Sequence, residues 1–144
     1  MKAPVKLLIS LAAVLAAGWI VHGPLGRGEA FVAATKARAE AVIQAAEMDQ
    51  VTVAFGHDPL TRLATLSGEA DDFQRNGMGS LPGLTGCVAA VAGVGGVRWS
   101  DDRGRAPFVL PLLVETEALA LLAWAVGLGC GWLLARRRRR ESFL

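Results

Sequence analysis

The side chains able to carry out nucleophilic, acid–base or metal chemistry are few and widely separated along the chain. The two histidines, His22 and His57, are far apart, and neither has a set of cysteines or carboxylates at the spacing of a metal site. Cys87 and Cys130 form no C-x-x-C motif, and their simplest role is that of small packing residues. Ser67 lacks the G-x-S-x-G turn that exposes a catalytic serine. The sequence therefore predicts no enzyme active site, no metal site and no cofactor.

Two further patterns look like sites but have simpler structural explanations. Asp71 and Asp72 are adjacent, and neighbours on a helix do not face each other, so one of them is better suited to capping a short helix. The glycines between Gly93 and Gly96 lack the lysine and hydroxyl residue of a phosphate-binding loop. These patterns indicate no small-molecule substrate.

The composition leaves little room for a large soluble core. Of the 144 residues, 53% are hydrophobic, and the mean hydropathy is +0.40. Both values are high for a soluble protein. Between Gly23 and Glu117, eight Lys or Arg stand against twelve Asp or Glu, a net charge of −4. An acidic middle segment argues against a nucleic-acid surface.

The C-terminal part of the chain predicts a membrane-spanning helix. Ala118 to Ala135 carry no charge, and at 1.5 Å per residue they reach about 27 Å, close to the thickness of the hydrocarbon core. The segment is followed by the basic run Arg136, Arg137, Arg138, Arg139 and Arg140. Each of these charges costs about 3 kcal/mol at the centre of a bilayer, so they should stay in the cytoplasm. We assign 116–135 to the helix and 136–144 to a basic cytoplasmic tail.

The N-terminal segment is also apolar, and two interpretations of it stay open. Leu7 to Val21 carry no charge and follow Lys2 and Lys6. They reach only about 22 Å, a span that becomes sufficient if Lys6 snorkels to the surface. We assign 1–6 to the cytoplasm and 7–23 to an uncleaved signal anchor. The alternative is a signal peptide cleaved near Gly18, and both interpretations export the middle segment.

Small residues recur every four positions along the C-terminal segment, at Ala123, Gly127, Gly131 and Ala135. A smooth face of this kind lets helix backbones approach closely. It could meet the N-terminal helix, a second copy of this chain or a helix of another membrane protein. Trp124, in the middle of the segment, is expected to contact lipid or pack on another helix.

The first half of the middle segment predicts a helix followed by two strands. Apolar residues recur at helical spacing over Glu29–Met48, opposite a charged stripe. Val51–Phe55 alternates and is rich in β-branched residues, and Leu63–Leu66 is a second short strand. The two strands should form a hairpin with a loop of about five residues.

The second half predicts short helices and one more strand. A helix capped by Asp71 or Asp72 should stop near Gly77, and Pro82 should open another that Gly93 ends. Val94–Trp99 then reads as a third strand. The expected class is therefore α+β, with a small αββαβ domain over 29–100, a juxtamembrane linker over 101–115 and a spanning helix on each side.

A family resemblance rests on residues at the end of the second strand and around the third, namely Leu66, Ser67, Gly68, Gly93, Val94, Val97 and Trp99. In this order of elements, they resemble the BON domain of bacterial envelope proteins over about 31–99. Neighbouring stretches are similar to small membrane proteins of alphaproteobacteria. The resemblance implies a periplasmic module that binds phospholipid membranes or hydrophobic ligands and has no enzymatic activity.

Phe73, Met78 and Leu81 surround the break between the two short helices. Either they close the small core, which is the commoner role of such residues, or they form an exposed apolar rim that touches lipid or a partner. The expected function is that of a non-catalytic bacterial inner-membrane protein whose periplasmic domain contacts membrane lipid or an envelope partner. The alternative is an accessory or scaffold subunit that binds a larger complex, or a second copy of itself, through its spanning helices.

Overall fold

Helices and strands follow one another through the residues that the computed structural model describes, 3–104 and 107–141, with side chains over 4–104 and 107–137. In chain order they are α1 (Ala3–His22), α2 (Arg27–Ala45), β1 (Thr52–His57), β2 (Leu60–Ser67), α3 (Asp72–Asn76), β3 (Gly77–Met78), β4 (Leu81–Pro82), α4 (Leu84–Ala89), β5 (Gly96–Trp99) and α5 (Leu112–Glu141). Helices α1 and α5 form one compact unit, and Gly26–Leu112 forms the other, which we call the middle domain. The mixed α and β content, with a long apolar helix at each end, confirms the predicted α+β class.

A three-stranded sheet in the order β1-β2-β5 is the centre of the middle domain. Strands β1 and β2 are antiparallel, and His57 pairs with Leu60, so the loop contains only Asp58 and Pro59. The predicted five-residue loop was therefore wrong, because β1 and β2 extend the ladder into residues assigned to the turn. Strand β5 pairs with β2 in parallel, and such a pairing needs a crossover connection, which α3, the β3–β4 hairpin and α4 provide.

The hydrophobic core lies between one face of this sheet and helices α2 and α4. Its buried members include Ala39 and Ile43 from α2, Leu84 and Val88 from α4, and Val53, Ala64, Leu66 and Trp99 from the strands. On strand β2, Ala64 and Leu66 point to the helices, since side chains alternate across a strand. The result is a two-layer α+β domain with helices on one face only.

The predicted role of Pro82 at the start of a helix was wrong. Pro82 lies in β4 and pairs with Gly77 of β3, and α4 begins two residues later at Leu84. The chain crosses itself closely here, because a Cβ at Gly83 would collide with the backbone at Gly77. The expected break between two helices is therefore a small hairpin.

Gly93 does not end a helix either, because α4 stops at Ala89. Gly93 has a φ of +104°, and a Cβ there would lie 2.6 Å from the hydroxyl of the buried Thr35 on α2. A residue without a side chain suits both the positive φ and the close approach to the helix. The third strand accordingly starts at Gly96, two residues later than predicted.

The terminal helices meet the length and composition of membrane spans. Pro4–His22 and Leu112–Arg137 are each long and apolar enough to cross a bilayer. Helix α5 begins four residues before the predicted start at 116 and continues through the arginine run. The side chains of Arg138, Arg139 and Arg140 lie outside the described residues, as does Lys2. Two apolar helices of this kind are consistent with a membrane location.

Candidate functional site

Helix α3 is short, and its first turn is closed by the predicted cap. Asp71 Oδ1 accepts a hydrogen bond from the backbone N–H of Gln74 at 2.7 Å, and Gln74 Oε1 accepts one from the N–H of Asp71 at 3.0 Å. This reciprocal pair is a capping box. The helix ends at Gly77, as predicted, where the N–H of Gly77 donates to the carbonyl of Phe73.

Phe73, Met78 and Leu81 form a cluster of large apolar side chains at the surface, which we call the apolar rim. Their exposed fractions are 51%, 70% and 64%. Met78 and Leu81 are cross-strand partners in the β3–β4 hairpin, so their side chains are on the same face of it. Of the two roles left open for these residues, the structure shows the exposed one, and the core is built from other residues, among them Leu84, Val88 and Trp99.

A charged clamp holds α3 against the end of β5. The Arg75 guanidinium donates to both carboxylate oxygens of Asp101, with Nη1–Oδ1 at 3.0 Å and Nη2–Oδ2 at 2.9 Å. Its Nε donates to the carbonyl of Ala70 at 3.0 Å, and its plane lies 4.3 Å from the ring centre of Trp99. The indole Nε1 of Trp99 donates to Thr85 Oγ1 at 2.9 Å. Helix α3, which carries Phe73 of the rim, is therefore tied to the core on two sides.

Electrostatics support the same clamp. The hydrogen bond from Arg75 holds the pKa of the Asp101 carboxyl below its usual value, and the same bond raises the pKa of the Arg75 guanidinium. Both groups are therefore charged through the neutral range. Sequence reasoning missed this pair because the two residues are 26 positions apart, and no local pattern connects an arginine on a helix to an aspartate after a strand.

An open groove of about 730 Å³ lies beside the clamp. Its lining consists of Gln50, Gly68, Glu69, Ala70, Asp71, Gln74, Arg75 and Asp101. Asp71 is engaged in the helix cap, and Arg75 and Asp101 are engaged with each other. Neither a histidine nor a hydroxyl nucleophile lines the groove, and the described residues contain no group of His, Cys, Asp and Glu that could hold a metal. The groove thus offers no convergent catalytic set.

The residues that carry the BON-like pattern occupy structural positions. Leu66 and Trp99 are buried in the core, and Val94 and Val97 pack against it. Gly68, which follows Ser67 at the end of β2, has a φ of +138°, and a Cβ there would collide with the backbone at Gln50. These positions explain the pattern through packing and backbone geometry, and they form no ligand site together.

The terminal helices touch through residues other than the small-residue stripe. Trp124 Nε1 donates to Ser10 Oγ at 3.2 Å, and a Cβ at Gly18 would collide with the carboxylate of Glu117. One oxygen of that carboxylate, Oε2, is buried without a hydrogen-bond partner in the described part of the chain. Of the two roles expected for Trp124, lipid contact or packing on another helix, the structure shows a contact with α1.

The stripe itself is uncovered along α5. All four of its residues, Ala123, Gly127, Gly131 and Ala135, are exposed. A Cβ built at Gly127 or Gly131 would meet nothing within 4 Å. Of the three partners considered for this face, α1 is not the one seen, since Gly18 and Ser10 of α1 lie against Glu117 and Trp124 instead. Its use by a second copy or another protein stays a prediction.

The fold and its surfaces define a class: a small mixed α and β domain between two helices that could span a membrane. A comparison with protein families, curated proteins and solved structures gave no match to this chain. The resemblance to BON domains thus rests on the residue pattern alone.

Proposed function

We propose that this chain is a non-catalytic protein of the bacterial inner membrane whose BON-like middle domain, in the periplasm, binds an envelope partner through the apolar rim. The observation that carries the proposal is the exposure of three large apolar side chains, Phe73 on the clamped helix α3 and Met78 and Leu81 on the β3–β4 hairpin that follows it. Scattered apolar residues are common on protein surfaces, but a cluster of them marks an interaction site. The clamp reduces the ordering cost of binding, since α3 is fixed before a partner arrives.

The charges around the rim favour a protein partner over an anionic lipid surface. Asp71 and Asp72 immediately precede Phe73, and Glu69 lies close in sequence. Carboxylates at this place would be repelled by the negative headgroups of an anionic leaflet. A partner that fits has an apolar pocket bordered by Lys or Arg.

Photo-crosslinking tests this proposal in the full-length protein within its native membrane. A benzophenone amino acid in place of Met78 should give a discrete protein adduct, and Phe73→Ser with Leu81→Ser should abolish it. The matched control is the same probe at Gln44, which is exposed on α2 and should give no such adduct. Adducts to lipid alone would indicate that the rim contacts a bilayer and not a protein. The absence of any adduct at Met78 would contradict a binding role for the rim.

A second candidate function is supported by the uncovered stripe on α5. In this case the spanning helices bind a larger complex or a second copy of the chain, and the middle domain is a spacer. Small-residue faces support close helix association in lipid. Both Gly127 and Gly131 have open space where a neighbouring helix would lie.

Two glycine substitutions separate this function from a general effect of bulk in α5. Gly127→Leu should release a stoichiometric partner, or convert a dimer to a monomer, after extraction in a mild detergent. Gly129→Leu is the matched control, because Gly129 also has open space around it but lies off the stripe. Equal behaviour of the two variants would argue against the stripe as a binding face.

A further inference from the structure

The face of the sheet opposite the helices, which we call the open face, differs in charge from the rest of the middle domain. The strand pairing places on it Thr52, Ala54, Leu63, Thr65, Gly96 and Arg98. Strands β1, β2 and β5 contain no Asp or Glu, although the segment from Gly23 to Glu117 has a net charge of −4. Acidic groups are therefore confined to the loops and helices.

Arg98 is the one ionic side chain among these open-face residues. It is half-buried, and its Nε is buried with no acceptor among the described residues. No described carboxylate forms a salt bridge with it. A guanidinium without a carboxylate partner on a face without negative charge is complementary to an anion, and phosphate matches its planar fork.

A second feature crosses the open face near β5. Residues 107–111 form an extended segment, which we call the strap, and Pro111 makes an isolated bridge to Thr61. The side chains of Pro107 and Val109 lie close to Gly96, at 3.2 and 3.0 Å from where its Cβ would be. Alternate strap residues therefore face the sheet, and those between them face outward.

The outward side of the strap is apolar and exposed. Phe108 is 89% exposed and Leu110 is 39% exposed. The strap leads directly into Leu112, the first residue of α5. The Phe108 side chain is thus exposed on a segment that has a proline at both ends and that precedes, in sequence, a helix able to span a membrane.

We propose that the strap and the open face rest on the bilayer that anchors the chain, with Phe108 and Leu110 in the boundary between headgroups and acyl chains and Arg98 toward the lipid phosphates. The proposal rests on the proposed function, because it requires α5 to span the membrane. It adds the orientation of the middle domain, which the proposed function leaves open.

Chain length places the strap at the level of the headgroups. Counted from Arg136, about twenty helical residues cover the hydrocarbon thickness of roughly 30 Å, so the opposite edge lies near Thr116. Leu112 is four residues further, about 6 Å, which is within the headgroup layer. Apolar side chains such as Phe and Leu are buried at this depth by segments that lie in the interface, and a face without carboxylates avoids repulsion by anionic lipid.

This orientation has a consequence for the rim. Helix α3 and strand β4 pack against α4, so the rim belongs to the helix layer on the other side of the sheet from the strap. A domain docked by its open face directs Phe73, Met78 and Leu81 away from its own bilayer. The rim is then free for a protein partner, as its flanking carboxylates also indicate.

Spin-label accessibility in the full chain tests the docking. Single cysteines at Phe108→Cys and Met78→Cys, in a Cys87→Ser and Cys130→Ser background, carry a nitroxide in vesicles of phosphatidylcholine and phosphatidylglycerol. The label at 108 should collide more with oxygen than with a water-soluble nickel complex, and the label at 78 should show the reverse. Both sites are exposed, so neither substitution removes core packing, and a Leu110→Cys label provides a second reading at the strap.

The outcomes separate this inference from the proposed function. Release of the protein by alkaline carbonate from the same vesicles would overturn the proposed membrane anchor itself. Retention of the protein, with labels at 108 and 110 as accessible to nickel as the label at 78, would overturn the docking alone. Arg98→Gln should shift the 108 label toward water in the mixed vesicles, and an unchanged label would overturn the phosphate contact.

Discussion

Leu66→Ala should destabilise the middle domain by about 3–5 kcal/mol, the range found when a fully buried leucine is truncated in a rigid core. Leu66 has no exposed surface and lies in the central strand, with Val53 of β1 and Trp99 of β5 as its register partners. Neighbours on both sides are held by the sheet ladder, so they cannot collapse into the cavity. Domains of this size are marginally stable, so the loss should approach the whole free energy of unfolding.

Tryptophan fluorescence of the full-length protein in detergent, followed through urea unfolding, measures this loss, with amide exchange as an independent readout. Leu81→Ala is the matched control, since it removes the same atoms from a side chain that is 64% exposed. It should change the stability by less than about 0.5 kcal/mol. Equal effects of the two substitutions would contradict the assignment of Leu66 to the core.

The parts of the fold that the sequence predicts well are those with a local signal. A cap at Asp71 or Asp72 and a stop near Gly77 both follow from residue types within a few positions of each other, and the structure shows the cap at Asp71 and the stop at Gly77. The amphipathic pattern over Glu29–Met48 likewise corresponds to α2, which spans Arg27–Ala45. In each case the physical cause lies in residues of the same short segment of the sequence.

The parts that the sequence does not predict depend on contacts between distant residues. Pro82 is a common first residue of helices, yet it pairs with Gly77 because Gly83 brings two backbones together. The Arg75–Asp101 contact joins an element before the hairpin to one after β5. The rim is exposed because residues from α4 and β5 fill the core first, and competition of this kind has no signature in a single segment.

The same distinction applies to the two terminal helices. Their length and composition are local properties, and the structure reproduces both as helices that could span a membrane. Which faces meet is decided by pairs such as Ser10 with Trp124, more than a hundred positions apart. The sequence therefore offered the stripe on α5 as one possible contact for α1, whereas a polar contact and a glycine opposite Glu117 join the helices elsewhere.

Replacement of all five arginines from Arg136 to Arg140 with glutamine should abolish the single orientation expected for the wild-type chain. Each arginine costs about 2.5–3.5 kcal/mol at the bilayer centre, and basic residues close to the end of a span decide which side stays in the cytoplasm. With the five charges gone, only the N-terminal lysines oppose inversion. Reporters fused after Leu144 should then divide between the two sides of the membrane, while the wild-type C-terminus stays inside.

The matched control replaces the same five residues with lysine, which preserves the charge and removes the guanidinium. Because the rule depends on positive charge, the lysine variant should keep the wild-type orientation. A reporter fused after Arg75 reports the side of the membrane on which the middle domain lies. In an inserted or inverted protein this side is opposite to that of the C-terminus, whereas in a protein that fails to insert the two reporters are on the same side. A glutamine variant with the wild-type orientation would show that the arginines do not set the topology. An external wild-type C-terminus would place the middle domain in the cytoplasm, and the partner of the rim would then have to be sought there.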